Sequence, residues 1–362
     1  LVLAPAPHLV ARLGGAEFVV LVKGLREKTE IVDTLLSYEQ KLRKTFLLDG
    51  DEYFITVSSG ISIFPEDGHN YEQLLRHADM ALDVAKKKGK NVMVLYEHSF
   101  KKDMMRQLEL ANIFQNAVPN GEFMMFYQPI YLSKEERPVT VEALMRWQHS
   151  TRGFIAPNDF IPIAEMTGKI KELSWFAFKQ CFEQSKIWKK MGLDLKVSIN
   201  VSAKIVVLDD FVKRIEHLVN EHKVSPNDFI LEVTESIILD KIDDTIDKLN
   251  QLKKMGFSIA LDDFGTGYSS LTYLEKLPCN ILKIDRSFIL AILAESSDYP
   301  LLSFMVDLAH KLGKIVVAEG VEDKIQRDKL VELGVDQIQG YYYAKPMPGN
   351  AIEAFIRLKK QL

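Results

Sequence analysis

Seven polar residues recur near the C-terminal ends of short apolar runs in the sequence: Glu142, Asn200, Glu232, Asp262, Lys283, Glu319 and Gln339. Strand alternation sets several of them on one face. In "KVSINVS" (196–202) Val197, Ile199 and Val201 point one way, and Ser198 and Asn200 the other. Leu231 and Val233 oppose Glu232 in the same manner, and Leu282 and Ile284 oppose Lys283. A single inward carboxylate is often a structural ion pair, and Asp or Glu at a strand end often caps the next helix. Four or five converging carboxylates, set against Lys283 and Arg146, are different, because buried unpaired charge costs several kcal/mol per ion. Something cationic belongs among them. Carboxylates with the Asn200 amide form an all-oxygen set, which favours Mg²⁺ or Mn²⁺. Neither His nor Cys takes part, which argues against zinc.

The stretch "LDDFGTGYSSL" (261–271) adds a second acid, Asp263. In a continuing strand Asp262 and Asp263 face opposite ways, so both reach one site only if the chain turns after Asp262. Gly265 and Gly267 allow such a turn. Two Asp on one loop suit two ions bridged by Asp262. A pair of ions about 4 Å apart is the arrangement for in-line attack of an activated water on a phosphate ester. Metal-assisted phosphodiester hydrolysis is therefore the chemistry these residues point to.

The elements that must position them lie in residues 122–362. Eight apolar strands are expected at 123–131, 139–147, 196–202, 229–236, 258–264, 281–285, 314–320 and 337–343. Amphipathic helices separate neighbours from the second strand on, as in "DTIDKLNQLKKMG" (244–256). This is the pattern of a (β/α)8 barrel. Only "LSKEERP" (132–138) joins the first two strands, too short for a parallel crossover. An antiparallel first pair and an irregular barrel are expected.

Residues 1–97 read as an α+β region. "ARLGGAEF" (11–18) followed by "FVVLV" (18–22) is a hairpin with Gly14 and Gly15 at the turn. A helix from about Glu27 to Leu36, a β-rich stretch at 53–65, a helix at 71–89 and a strand at 91–96 follow. Residues 98–121 read as a connector helix on which Leu108, Ala111 and Gln115 share a face.

The 362 residues suit two domains. Net charge is −4 with no basic stripe, which sets nucleic-acid binding aside. Two cysteines, Cys181 and Cys279, follow no metal spacing and suit a reducing cytoplasm. No apolar run approaches the roughly 20 residues of a membrane span. The sequence starts at Leu1 and enters a folded pattern at once. It reads as a cytoplasmic fragment whose parent is free to be membrane-attached through an N-terminal part.

"EAL" (142–144) in "VEALMRW" resembles the signature of EAL-domain phosphodiesterases, which hydrolyse cyclic di-GMP to linear pGpG. The resemblance continues through "YQPI" (127–130), "DFIPIAEMTG" (159–168), "INVS" (199–202), "LEVTES" (231–236), "DDFGTGYSSL" (262–271), "LKID" (282–285), "AEGVE" (318–322) and "QGYYYAKPM" (339–347). It implies an irregular TIM barrel with an antiparallel first pair. It implies a first metal at Glu142, Asn200, Glu232 and Asp262, and a second at Asp262, Asp263 and Glu319. Lys283 then resembles the residue that orients or deprotonates water, with Glu319 a rival for the base, so that Glu142, Lys283 and Glu319 carry the catalysis. Gln128, Arg146 and Gln339 resemble substrate contacts. Glu235 is similar to an anchor for the "DDFGTG" loop. A homodimer formed through the EAL domains near that loop is implied too. Relatives that lose these residues act as cyclic di-GMP receptors or scaffolds, and such a receptor is the alternative to an enzyme.

"RLGGAEF" (12–18) resembles the GGDEF motif of diguanylate cyclases. "VSSGISIFP", "ADMAL" and "AKKKGKN" match the second half of that domain. Ala16 stands where active cyclases carry a metal-binding Asp or Glu, and a methyl group cannot replace a carboxylate. Where the family's product-inhibition site has Arg-x-x-Asp, "PAPH" (5–8) puts Pro5 and His8 in the charged places. A partial, catalytically inactive GGDEF-like region is expected ahead of the barrel.

Overall fold

The structure is a computed structural model that describes residues 9–25, 28–42, 45–48, 51–87, 91–235, 242–265, 271–293 and 299–359. The "PAPH" stretch and residues 266–270 of the Gly-rich loop lie outside the described residues.

The chain divides into two compact units, Leu1–Leu108 and Glu109–Leu362. In the second, eight strands close a barrel: β1 (Phe123–Leu132), β2 (Pro138–His149), β3 (Lys196–Asn200), β4 (Phe229–Thr234), β5 (Ser258–Phe264), β6 (Ile281–Ile284), β7 (Ile315–Ala318) and β8 (Gln337–Gln339). Strands β2 to β8 run parallel in chain order. β1 is antiparallel to both of its neighbours, pairing Gln128 with Glu142 on β2 and Ile130 with Gln339 on β8. The short link after β1 dictates this: it turns back at once, with Leu132 N–H donating to the Arg137 carbonyl at 2.9 Å. Two short strands, Gly153–Ile155 and Met347–Pro348, extend the sheet beside β2 and β1.

Alternation along each strand builds two cores. Val197, Ile199, Leu231, Val233, Leu282 and Ile284 face outward and are buried against the helices. Ile130, Ile230, Ala260, Ile281 and Val317 face inward and form a separate plug across the barrel floor. Burying each larger plug side chain contributes about 1.5–3 kcal/mol, and the plug underlies the polar mouth.

β5 carries the one irregularity that matters for the site. Its register against β6 slips by one residue between Leu261 and Phe264, and Asp263 has φ +55°. This is a β-bulge. Asp262 and Asp263 are brought together by a bulge within a strand that runs on to Phe264, rather than by a turn after Asp262.

In the first unit, Leu9–Gly14 and Glu17–Leu21 form the expected hairpin. Its turn residues are Gly15, at φ +51°, and the exposed Ala16, while Gly14 ends the first strand. The first helix spans Lys28–Leu42, six residues beyond the expected end at Leu36, because "SYEQKL" carries no breaker. The β-rich stretch resolves into Asp51–Phe54, paired with Thr45–Leu48, and Ser59–Ile61, parallel to Met93–Leu95. Helix Tyr71–Lys87 packs so tightly on Ser59–Ile61 that a Cβ at Gly60 would sit 2.1 Å from the Ala78 carbonyl.

The division between units falls inside helix His98–Ala117. Its packed face is Leu110, Phe114 and Ala117, whereas Leu108 is 52% exposed. Phe114 meets Phe123 and Trp147 at ring-centroid distances of 5.8 and 5.4 Å. Glu122 then ties β1 to β2, accepting from Trp147 Nε1 at 2.8 Å.

Candidate functional site

The inward side chains above the plug converge on one ammonium. Lys283 of β6 is buried, and its Nζ lies 2.8 Å from Glu232 Oε2, 2.5 Å from Glu319 Oε1, 3.3 Å from Asp262 Oδ1 and 3.5 Å from Glu142 Oε2. The Glu232 contact is an aligned hydrogen bond, and the Asp262 contact is an electrostatic approach without hydrogen-bond alignment. The cation that the carboxylates call for is supplied first by the chain itself.

A web of amides holds the far side. Asn200 Nδ2 donates to Glu142 Oε1 at 2.8 Å, and Gln339 Nε2 donates to Glu142 Oε2 at 2.6 Å. Gln339 Nε2 also reaches Gln128 Oε1 at 3.1 Å, and Gln128 Nε2 donates to the Ala344 carbonyl at 3.0 Å. β1, β2, β3 and β8 are thereby stitched together at the mouth. Ser198 sits one inward step below Asn200 on β3, and its Oγ donates to Glu232 Oε1 at 2.5 Å.

These contacts set the proton affinities. Burial raises the Glu142 carboxyl, but the Lys283 charge and the Gln339 and Asn200 hydrogen bonds outweigh it and leave it below the usual range. Glu232 stands well above that range: burial raises it, Lys283 offsets this in part, and Glu142, Asp262 and Glu319 repel its charge. Glu319 is pushed up to about 8, mainly by burial. Asp263 is raised by burial and then by Asp262 beside it. Burial alone would lower Lys283, but the surrounding carboxylates raise it well above its usual value.

Arg146 lies on the same inward register of β2 as Glu142. It is half-buried, donates to the Met145 carbonyl at 3.0 Å, and stands 5.6 Å from the Phe126 ring centre. Burial pulls its guanidinium below the usual value. Glu235, just beyond β4, is buried, and the loop it was expected to anchor continues into the residues outside the description. The structure thus joins Gln128, Glu142, Asn200, Glu232, Asp262, Lys283, Glu319 and Gln339 by direct contacts or through Lys283, with Asp263 and Arg146 at the rim. Ser198 is the residue sequence reasoning left out of the set. The signal was present, since alternation already put it on the Asn200 face.

The donor chemistry fits a divalent ion with oxygen ligands: four carboxylates and an amide converge, and Gln339 Oε1 is buried without a hydrogen-bond partner. The present spacing is organised around the ammonium. Among the described residues, no three His, Cys, Asp or Glu side chains stand ready to hold an ion as they are. Loading an ion therefore requires Lys283 or its partners to turn.

Comparisons with known proteins agree on the family. The model of the EAL domain matches residues 111–346, and that of the diguanylate cyclase GGDEF domain matches residues 3–92. The chain is 35% identical over 352 residues to the bifunctional diguanylate cyclase/cyclic di-GMP phosphodiesterase MucR of Pseudomonas aeruginosa, covering 97% of this chain and 51% of that protein. It is 30% identical over 352 residues to the cyclic di-GMP phosphodiesterase PdeR of Escherichia coli, covering 97% and 53%. The chain thus spans about half the length of the curated relatives it matches. The solved structure described as "PaMucR Phosphodiesterase, c-di-GMP complex" is 36% identical with a TM-score of 0.65, covering 67% of this chain and 99% of that one. The chain belongs to the EAL domain family and carries a GGDEF-domain segment ahead of its barrel.

Proposed function

We propose that the barrel hydrolyses cyclic di-GMP to linear 5′-pGpG with the help of two divalent ions, Mg²⁺ or Mn²⁺. The observation that carries this reading is the convergence of Glu142, Asn200, Glu232, Asp262 and Glu319 above an apolar plug. Likeness to relatives named cyclic di-GMP phosphodiesterases supports the substrate. Glu142, Asn200, Glu232 and Asp262 would hold one ion, and Asp262, Asp263 and Glu319 the other. Bound there, the ions would supply positive charge to the phosphate and lower the pKa of a water.

The chain's own groups do the rest. Arg146, with Gln128 and Gln339, would bind and orient the dinucleotide, the guanidinium suiting a phosphate or a guanine edge. Water adds to phosphorus, the bond to the 3′ oxygen breaks, and the phosphate stays on the 5′ side. The water proton passes to Glu319, and the Lys283 ammonium 2.5 Å away orients the water and gives a proton to the departing 3′ oxygen. Glu319, buried beside the ammonium, is suited to taking the water proton.

The GGDEF-like segment would make no cyclic di-GMP, because Ala16 offers the hairpin turn no ligand. A homodimer through the barrel would use helix Pro300–Lys311, where Leu301 and Phe304 are 57% and 54% exposed. Met305 of that helix lies against Gly265, where the Gly-rich loop begins. Among the described residues no helix is long and apolar enough to cross a membrane, and a cytoplasmic site of action suits a nucleotide substrate.

The test is turnover of cyclic di-GMP with Mg²⁺, Mn²⁺ or chelator, separating pGpG by chromatography. Metal-dependent pGpG that disappears in Glu142→Ala is expected. Binding without product would favour a receptor instead.

A further inference from the structure

We propose that Ser198 is a positioning residue that fixes the Glu232 carboxylate for the ion, resting on the reading of Glu232 as an ion ligand. The two oxygens of Glu232 have different partners. Oε2 accepts from Lys283 at 2.8 Å, and Oε1 accepts from the Ser198 hydroxyl at 2.5 Å. Both side chains are buried, Ser198 at 1% exposure and Glu232 at 2%.

The register explains the direction of the bond. Asn200 pairs with Glu232 and Ser198 with Ile230, so the hydroxyl lies one pleat deeper than the carboxylate. It donates from below, opposite the oxygen that meets Lys283. Held there, the carboxylate plane cannot turn, and Oε2 stays directed at the position now filled by the ammonium. Without the hydroxyl, a buried carboxylate oxygen loses its donor and the group is free to rotate. Asn200 does not substitute, since its amide nitrogen is engaged by Glu142. A small cavity lined by Thr140, Ser198, Ile230, Ala260 and Gln337 adjoins the hydroxyl. Thr keeps the hydroxyl donor and adds one methyl group beside this cavity.

The experiment is calorimetric titration of the full chain with Mn²⁺, without nucleotide, for the native protein, Ser198→Ala, Ser198→Cys, Ser198→Thr and Glu232→Gln. Ser198→Ala should weaken Mn²⁺ binding about 10–100-fold, the range for removing a partner of a metal ligand. Ser198→Thr, which keeps the donor, should bind more tightly than Ser198→Ala. Ser198→Cys keeps the volume with a poor donor, and should weaken binding as Ala does even where Ala fails to fold. At saturating Mn²⁺ the KM for cyclic di-GMP should be unchanged in the Ala and Thr variants. Native affinity in both Ser198→Ala and Ser198→Cys, alongside lost affinity in Glu232→Gln, would overturn the role of Ser198 and leave the ion site standing. Absence of Mn²⁺ binding in the native chain would overturn both.

Discussion

Replacing Lys283 by Met tests whether the ammonium holds the metal-free mouth together. The side chains have similar length and volume, so the change removes charge and donors while keeping packing. Four carboxylates lie within 2.5–3.5 Å of Nζ. Breaking a buried ion pair by removing one partner costs about 3–5 kcal/mol. Here the lost partner serves several carboxylates, but these take up protons once it is gone, so the net cost stays in that range. For a barrel of this size each kcal/mol moves the melting temperature about 2–4 °C, giving a fall of about 6–20 °C.

The assay is scanning calorimetry in chelator, repeated with excess Mn²⁺. Two further signs are fixed by the same reasoning. The fall should be larger at pH 8 than at pH 5, because at pH 5 the orphaned carboxyls are protonated more readily. Mn²⁺ should raise the melting temperature of Lys283→Met more than that of the native chain, because in the native chain the ion displaces an existing cation. A variant melting within about 1 °C of native in chelator at pH 8, with an unchanged response to Mn²⁺, would refute the view of Lys283 as the resident counter-ion.

In chelator the native chain should lose stability as pH rises from 5 to 8. Glu319 is raised from 4.5 to about 8 in the fold, so its contribution is complete below 4.5 and lost as pH rises through 8. Glu232 and Asp263 shift the same way, whereas the lowered Glu142 acts at more acid pH and the raised Lys283 at more alkaline pH; a melting temperature flat or rising across this window would refute the assignment. Phe114→Ala should cost about 3–5 kcal/mol in urea unfolding, whereas Leu108→Ala should stay within about 0.5 kcal/mol. Equal effects would mean that the end of the helix is no part of the barrel core. Asp263→Gly should gain about 1 kcal/mol or less of stability by relieving a left-handed backbone while losing turnover, and a loss of stability would show that the Asp263 side chain outweighs its backbone strain.

Much of the barrel is legible in the sequence because its strands have a two-residue period and opposite faces meet different surroundings. Val197, Ile199, Leu231 and Leu282 find helices, while Asn200, Glu232 and Lys283 find each other. Reversal of β1 follows from chain length alone, since the link of Ser133–Arg137 cannot carry a crossover. The bulge at Asp262–Asp263 was not legible. Two adjacent acids near glycines are compatible with a turn or with a bulge, and only the register of β6 beside them decides. Which residues of helix His98–Ala117 pack was not fixed by spacing either. Leu108, Ala111 and Gln115 have helical spacing, but the aromatic pocket of Phe123 and Trp147 selects Phe114 and with it Leu110 and Ala117.

The centre of the site shows where pattern reasoning stops. Charge counting required a cation among the carboxylates, and ligand chemistry suggested a divalent ion. Strand alternation placed Lys283 at the mouth, but neither argument could tell that its ammonium comes within 2.5–3.5 Å of four carboxylates at once, because that depends on how far a side chain on β6 extends across the barrel. The two answers are compatible in sequence but compete in space. A mouth whose carboxylates share one lysine and hold protons where that charge does not suffice can fold without metal. On the proposed reading an arriving ion would take carboxylates from the ammonium, leaving Lys283 with fewer partners and a nearby Glu319 to exchange a proton with. The residue that pairs with the carboxylates of the metal-free barrel would thereby be placed to serve the proposed proton transfer.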